Sequence, residues 1–151
     1  MDAHIRPARA DDRPQLLTVW ERSVRATHLF LDEQDIVELR PHVAEELESD
    51  RYAWWVLESA DHAIVGFLAF ARDVIEGLFI DPDYRGQGAG TALVAYAQRL
   101  SGRALAVDVN EQNNSAREFY QRLGFVVMGR SPTDAAGRSF PILHLRREST
   151  V

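Results

Sequence analysis

Apolar positions along the chain switch between two periods, one near two residues and one near three and a half. Residues 4–9 predict a short strand, with Asp11 and Asp12 behind it as helix caps. Leu16, Val19, Trp20, Ser23, Val24 and Thr27 then follow at the i, i+3, i+4, i+7 spacing of one helix face. A second helix is predicted over 33–48, with Ile36, Leu39, Val43 and Leu47 inward and a kink or break at Pro41. The period then shortens. Segments 52–58, 63–71 and 74–80 read as three successive strands, the first two separated by the turn-like Ser59-Ala60-Asp61-His62. A helix follows with Ala89, Ala92, Leu93, Tyr96, Ala97 and Leu100 on one stripe, closed by Ser101-Gly102. Segment 104–109 is a strand, and Asn113-Asn114-Ser115 caps a helix whose inner face is Ala116, Phe119, Tyr120 and Leu123. Gly124 stops that helix, 125–128 resumes as strand, 132–137 is loop, and 140–145 is the last strand. The order β-α-α-β-β-β-α-β-α-β-β predicts an α/β fold, a mixed sheet with helices on both faces. No repeat, linker or low-complexity stretch interrupts it, so residues 1–151 are expected to form a single domain.

The junction Phe79-Ile80-Asp81-Pro82-Asp83-Tyr84-Arg85-Gly86-Gln87-Gly88-Ala89-Gly90-Thr91 departs from ordinary strand-to-helix chemistry. Three glycines within five residues at a helix start cost conformational entropy, and a ligand that touches backbone would offset it. The Walker pattern fails for want of its lysine. The dinucleotide pattern Gly-x-Gly-x-x-Gly begins at Gly86 and Gly88, and Asp108 stands where a ribose-binding acid would be, but Thr91 occupies the third glycine position. The loop also lies past mid-chain, with too little sequence beyond it for a doubly wound sheet. The pattern Arg/Gln-x-x-Gly-x-Gly/Ala is met by Arg85, Gly88 and Gly90. Its glycines let N–H groups approach a pyrophosphate, and the helix start adds a positive dipole.

Composition narrows the partners. A formal net charge of −6 argues against a nucleic-acid or anionic-membrane binder and leaves room for a cationic one, such as an amine. The absence of cysteine removes disulfides, thiolate-bound zinc and a cysteine nucleophile. The charged N-terminus is no signal peptide and no apolar run reaches membrane-spanning length, so a cytoplasmic protein is expected. His4, His42, His62 and His144 share no metal-ligand spacing, and no metal is expected.

With the element order, Asp81-Pro82 before the loop, and Asn113, Phe119-Tyr120 and Leu123-Gly124-Phe125 after it, the chain resembles the GNAT acetyltransferase superfamily. The segments VRATHLFL (24–31), LFIDPDYRGQGAG (78–90), VNEQN (109–113), GFVVMGRS (124–131) and GRSFP (137–141) are similar to its small bacterial YjaB/YiaC-type members. The resemblance implies a sheet whose central strands splay apart to admit a pantetheine arm. It implies an N-acetyltransferase that uses acetyl-CoA as acyl donor and a primary amine as acceptor, either a protein lysine or N-terminus or a small cationic amine. Carried over, Leu78, Phe79 and Ile80 offer backbone groups to the pantetheine, and a donor near Leu78 polarises the thioester carbonyl. Arg85, Gly86, Gln87, Gly88, Ala89, Gly90 and Thr91 hold the pyrophosphate, and Asn113 meets the arm from the far side.

An amine attacks only when neutral, so a base must take its proton and an acid must protonate the departing thiolate. Without cysteine, direct attack in a ternary complex is expected rather than an acyl-enzyme. Tyr120 stands at the family's acid position. The base is open between Asp108, at the end of its strand, and Glu76, which alternates with Val74, Leu78 and Ile80 on an otherwise apolar strand. His28 and Phe30, in the connection between the first two helices, and Arg138, beside Phe140-Pro141, are expected at the acceptor pocket. A non-catalytic acyl-CoA sensor is the alternative function, and the oligomeric state is left as monomer or homodimer.

Overall fold

A computed structural model of the chain describes residues 2–149. Its elements follow the expected order: β1 (Ala3–Pro7), α1 (Arg13–Thr27), α2 (Glu33–Leu47), β2 (Ala53–Ser59), β3 (Ile64–Ala71), β4 (Val74–Ile80), α3 (Ala89–Ser101), β5 (Leu105–Asn110), α4 (Asn114–Arg122), β6 (Val126–Ser131) and β7 (Ile142–Arg147). Short 3₁₀ turns precede α1 and follow β4. The seven strands form one mixed sheet in the order β1-β2-β3-β4-β5-β7-β6. Every neighbouring pair is antiparallel except β4 with β5.

Two apolar layers cover the sheet. On one face Leu93, Val94 and Ala97 of α3 and Tyr120 of α4 pack on Leu57, Val65, Leu68, Ile75, Leu105, Val107 and Leu145. On the other, Leu16, Val19, Trp20 and Val24 of α1 and Ile36 and Leu47 of α2 pack on Val56, Ile64 and Phe67. No buried residue of β5, β6 or β7 belongs to this second layer, so those three strands carry no helix on the α1–α2 side. Trp54 and Trp55 divide between the layers, as neighbours on a pleated strand must.

Three local readings needed correction. The stripe of α3 includes buried Val94, whereas Leu100 points to solvent. The helix has two neighbours inside, the sheet and α4, so its apolar arc is wider than one row. The α2 helix runs through Pro41 without breaking. Pro41 lies on the exposed side, where the carbonyl released by the missing N–H can turn to water. The last strand begins at Ile142, not at 140. Phe140 N–H instead bonds the Arg138 carbonyl at 2.8 Å, and Pro141 has no N–H to donate to a ladder.

Two irregularities shape the centre of the sheet. The β4 and β5 strands pair only at Val74–Ala106 and Ile75–Val107 and then separate. On the other edge of β4 the register against β3 jumps from Phe70–Ile75 to Ala69–Gly77, which leaves Glu76 as the extra residue of a bulge. A bulge bends and twists its strand, and this one falls where β4 turns away from β5.

Candidate active site

The splay opens into a cleft of about 410 Å³. Leu78, Phe79 and Ile80 form one wall, and none of them has a ladder partner on β5. The opposite wall comes from α4, which the Asn113 side chain caps by accepting the Ala116 N–H at 3.1 Å.

The cleft floor is the glycine turn. Gly86 and Gly88 have φ of +76° and +84°, a region that side chains with a Cβ adopt only under strain, and both line the cleft. Gly88 caps α3 with no side-chain bond, and the first helical hydrogen bond runs from Ala92 N–H to the Gly88 carbonyl. The N–H groups of Ala89, Gly90 and Thr91 therefore have no partner within the helix, and all three residues line the cleft. A Cβ on Gly90 would sit 2.9 Å from Phe119 Cζ, so this glycine lets α4 approach the start of α3. Arg85 lines the cleft and donates to Ser115 Oγ at 3.0 Å. Gln87 belongs to the turn but not to the cleft wall. At the strand end, Asp81 accepts from Arg22 of α1 at 3.1 Å and from Asp83 N–H at 2.9 Å, which fixes the entry to the turn.

Tyr120 is buried at the inner end of the cleft, in edge contact with Phe119 and Phe125. Burial pushes its phenol above the ordinary tyrosine range, so it stays protonated at neutral pH. His28 also lines the cleft, and its tautomer follows from its neighbours. Asn113 Oδ1 is taken by the helix cap, so Nδ2 faces His28 Nε2 at 3.3 Å and donates to it. The Nδ1–H then donates to Thr27 Oγ1 at 2.9 Å, and that hydroxyl donates to the Ser23 carbonyl at 2.8 Å. Burial pushes the imidazole down from 6.5 to about 4. A neutral ring with both nitrogens occupied is a poor proton acceptor. A proton-accepting role for His28 has no support in this geometry, and the Asn113 carboxamide is likewise engaged with its neighbours.

The other expected residues lie outside the cleft wall. Phe30 packs between the rings of His28 and Phe140, with centroids 5.4 and 5.5 Å apart. Arg138 reaches α2, with Glu38 at 3.1 Å and Asp35 at 3.5 Å. These contacts tie the α1–α2 connection and α2 to the loop between β6 and β7. Glu76 is exposed, and its alternation with Leu78 and Ile80 does not hold because Glu76 is itself the bulged residue and resets the pleat. Partial burial, and then the charge of Asp108, raise its carboxyl above the usual range. Asp108 is also exposed, and both carboxylates stand just past the last β4–β5 pair, close enough for the charge of Asp108 to act on Glu76. Among the described residues no cluster of His, Cys, Asp or Glu could hold a metal ion.

Sequence reasoning missed Tyr84, Ser115 and Arg122, all of which line the cleft. A signal for two of them was available: Ser115, Phe119 and Arg122 stand at i, i+4 and i+7, one face of α4.

A splayed parallel pair, a left-handed glycine turn at a helix start and a buried tyrosine meet in one cleft of this mixed α/β fold. The acetyltransferase (GNAT) domain model matches residues 50–127. The chain is 41% identical over 148 residues to the peptidyl-lysine N-acetyltransferase YjaB of Salmonella typhimurium, covering 96% of this chain and 98% of that one. It is 39% identical over 141 residues to the Escherichia coli protein of the same name, covering 93% and 94%. The solution structure of apo YjaB from Escherichia coli superposes with a TM-score of 0.89 at 37% identity and 99% coverage of both chains. The PaiA N-acetyltransferase of Thermoplasma acidophilum, solved with coenzyme A, shares the fold with a TM-score of 0.77 at 19% identity, over 98% of this chain and 99% of that one. The chain belongs to the GNAT acetyltransferase family and is an N-acetyltransferase.

Proposed function

We propose that this N-acetyltransferase uses acetyl-CoA and transfers the acetyl group to the Nε of a protein lysine by direct attack in a ternary complex. The observation that carries the reading is the common cleft, in which the unpaired edge of Leu78, Phe79 and Ile80, the glycine turn and Tyr120 all meet. Acetyl-CoA supplies an activated thioester. The free amides from Gly86 to Thr91, with Arg85, bind its pyrophosphate, and the bare backbone at Gly86 and Gly88 leaves room for close approach. The free edge of β4 pairs with the pantetheine amides, and a backbone N–H near Leu78 polarises the thioester carbonyl. Asn113 shapes the far wall through its cap on α4 and its bond to His28. Tyr120 donates its phenolic proton to the departing thiolate.

The preference for lysine rests on the two peptidyl-lysine relatives, which align over nearly the whole chain. The formal charge of −6 suits a cationic acceptor, as do the carboxylates Glu76 and Asp108 where β4 and β5 part. Among the described residues no helix is long and apolar enough to cross a membrane.

The test is coenzyme A release from acetyl-CoA, read with a thiol-reactive dye against lysine peptides, free N-terminal peptides, polyamines and aminoglycosides. Release driven by lysine peptides and lost in Tyr120→Phe is expected. Tight acetyl-CoA binding with no release by any amine would favour a non-catalytic acyl-CoA sensor.

A further inference from the structure

Only two residue pairs join β4 to β5, so the far ends of these strands have no ladder between them. The side chains of a single helix span that gap. Asp81 directly follows β4, and Arg22 of α1 donates to its two carboxylate oxygens at 3.1 and 3.3 Å. The same guanidinium pairs with Asp83 at 3.1 Å. Beyond the end of β5, Asn113 N–H bonds the Asn110 carbonyl at 2.9 Å, and Asn113 Nδ2 donates to His28 Nε2 at the end of α1. Arg22 and His28 stand about 9 Å apart along the helix axis. One helix therefore reaches from the end of one parted strand to the end of the other.

The His28 end is the firmer attachment. The Arg22 side chain is 45% exposed, so water weakens its ion pairs, whereas Asn113 is only 4% exposed. His28 is held from behind by Thr27 Oγ1 and by its own N–H, which bonds the Val24 carbonyl at 2.8 Å. Its neutral ring keeps a lone pair on Nε2 for Asn113. Through its cap on Ala116, Asn113 passes the tie into α4. The far end of α4 is fixed by Arg147, which donates to the Leu123 carbonyl at 3.0 Å. The near end carries Ser115, Ala116 and Phe119 of the cleft wall, and besides His28 it has the exposed bond from Arg85 to Ser115. Without His28 the buried Asn113 Nδ2 loses its acceptor and the near end of α4 is freer to swing. A ligand entering the cleft would then have to order that wall as it binds.

We infer that α1 is a strut that fixes the width of the splay, and that His28 is a positioning residue for the acyl-donor cleft rather than a contact for the acceptor. The inference rests on the acetyl-transfer reading above. Arg22 holds the end of β4, and His28 holds the end of β5 together with the start of α4. The strut stands in for the missing ladder and keeps the cleft open at one width before the coenzyme arrives.

Two measurements separate the donor side from the acceptor side. Calorimetric titration with acetyl-CoA in the absence of amine reads the first. The KM of a lysine peptide at saturating acetyl-CoA reads the second. His28→Ala should weaken acetyl-CoA binding roughly tenfold and leave the peptide KM unchanged. His28→Gln, whose Oε1 can accept from Asn113, should recover most of the lost affinity. Asn113→Ser keeps a capping oxygen but is too short to reach His28, so adding His28→Ala to it should cost little more. Arg22→Ala should weaken acetyl-CoA binding about two- to threefold. A peptide KM that rises in His28→Ala while acetyl-CoA affinity holds would overturn the strut and make the ring an acceptor contact. Losses that simply add in the double variant would overturn it too. Tight acetyl-CoA binding with no amine-dependent turnover in the wild type would overturn the acetyl-transfer reading alone, since the titrations still read the strut. No acetyl-CoA binding by the wild type would overturn both.

Discussion

The proposed coenzyme side of the splay and the proposed acceptor side are built from different materials. The coenzyme side is mostly backbone: an unpaired strand edge at Leu78–Ile80, and free amides held by two left-handed glycines at the start of α3. The proposed acceptor side is mostly side chain: Arg138 joined to Asp35 and Glu38, and Phe30 against Phe140. A backbone site is made by local conformation, so it tolerates sequence change that keeps the conformation. A side-chain site depends on the register of several strands and on each residue's length, so it can be retuned for a new acceptor without disturbing the coenzyme cleft.

Substitutions on the two sides should therefore separate. Tyr120→Phe sits at their junction and should have the largest effect, a loss of at least about a hundredfold in kcat with acetyl-CoA affinity little changed. Steady-state kinetics beside calorimetric titration would read both. Gly88→Val should act on the coenzyme side alone. It forces a β-branched residue to φ near +84° and puts a side chain where the amides must be approached. Acetyl-CoA affinity should fall by roughly a hundredfold, about 2.7 kcal/mol, in the same titration.

His28 gives a pH signature of stability. The unfolded chain binds a proton at this imidazole near 6.5, whereas the folded protein resists until about 4. Between those values the unfolded state holds more protons, so stability falls as the pH drops through that window. The contribution is about 2 kcal/mol after allowing for the ring's remaining exposure. Chemical denaturation at several pH values should show this slope in the wild type and a flatter one in His28→Gln. Arg138→Ala should have the smallest effect, a rise of a few-fold in KM for the amine with coenzyme affinity untouched. Its ion pairs are partly exposed, and such pairs contribute about 1 kcal/mol or less.

The same division decided what the sequence made legible. The element order and the glycine turn could be read because their signals are contiguous: hydrophobic period, caps and Gly86-Gln87-Gly88-Ala89-Gly90 within one short stretch. The acceptor side could not. Glu76 looked like part of a regular alternation, and a bulge, which depends on how β3 aligns with β4, moved it out of phase. His28 reads as an acceptor-pocket residue, yet burial and the bond from Asn113 hold it neutral in the cleft wall.

The division between the two sides is tested most directly by amide chemical-shift mapping of the wild-type protein as acetyl-CoA is added without amine. The account predicts large shifts at Leu78, Phe79 and Ile80 and from Gly86 to Thr91, with Phe30, Arg138 and Phe140 unmoved. Saturation with acetyl-CoA that leaves the glycine turn unshifted would contradict it.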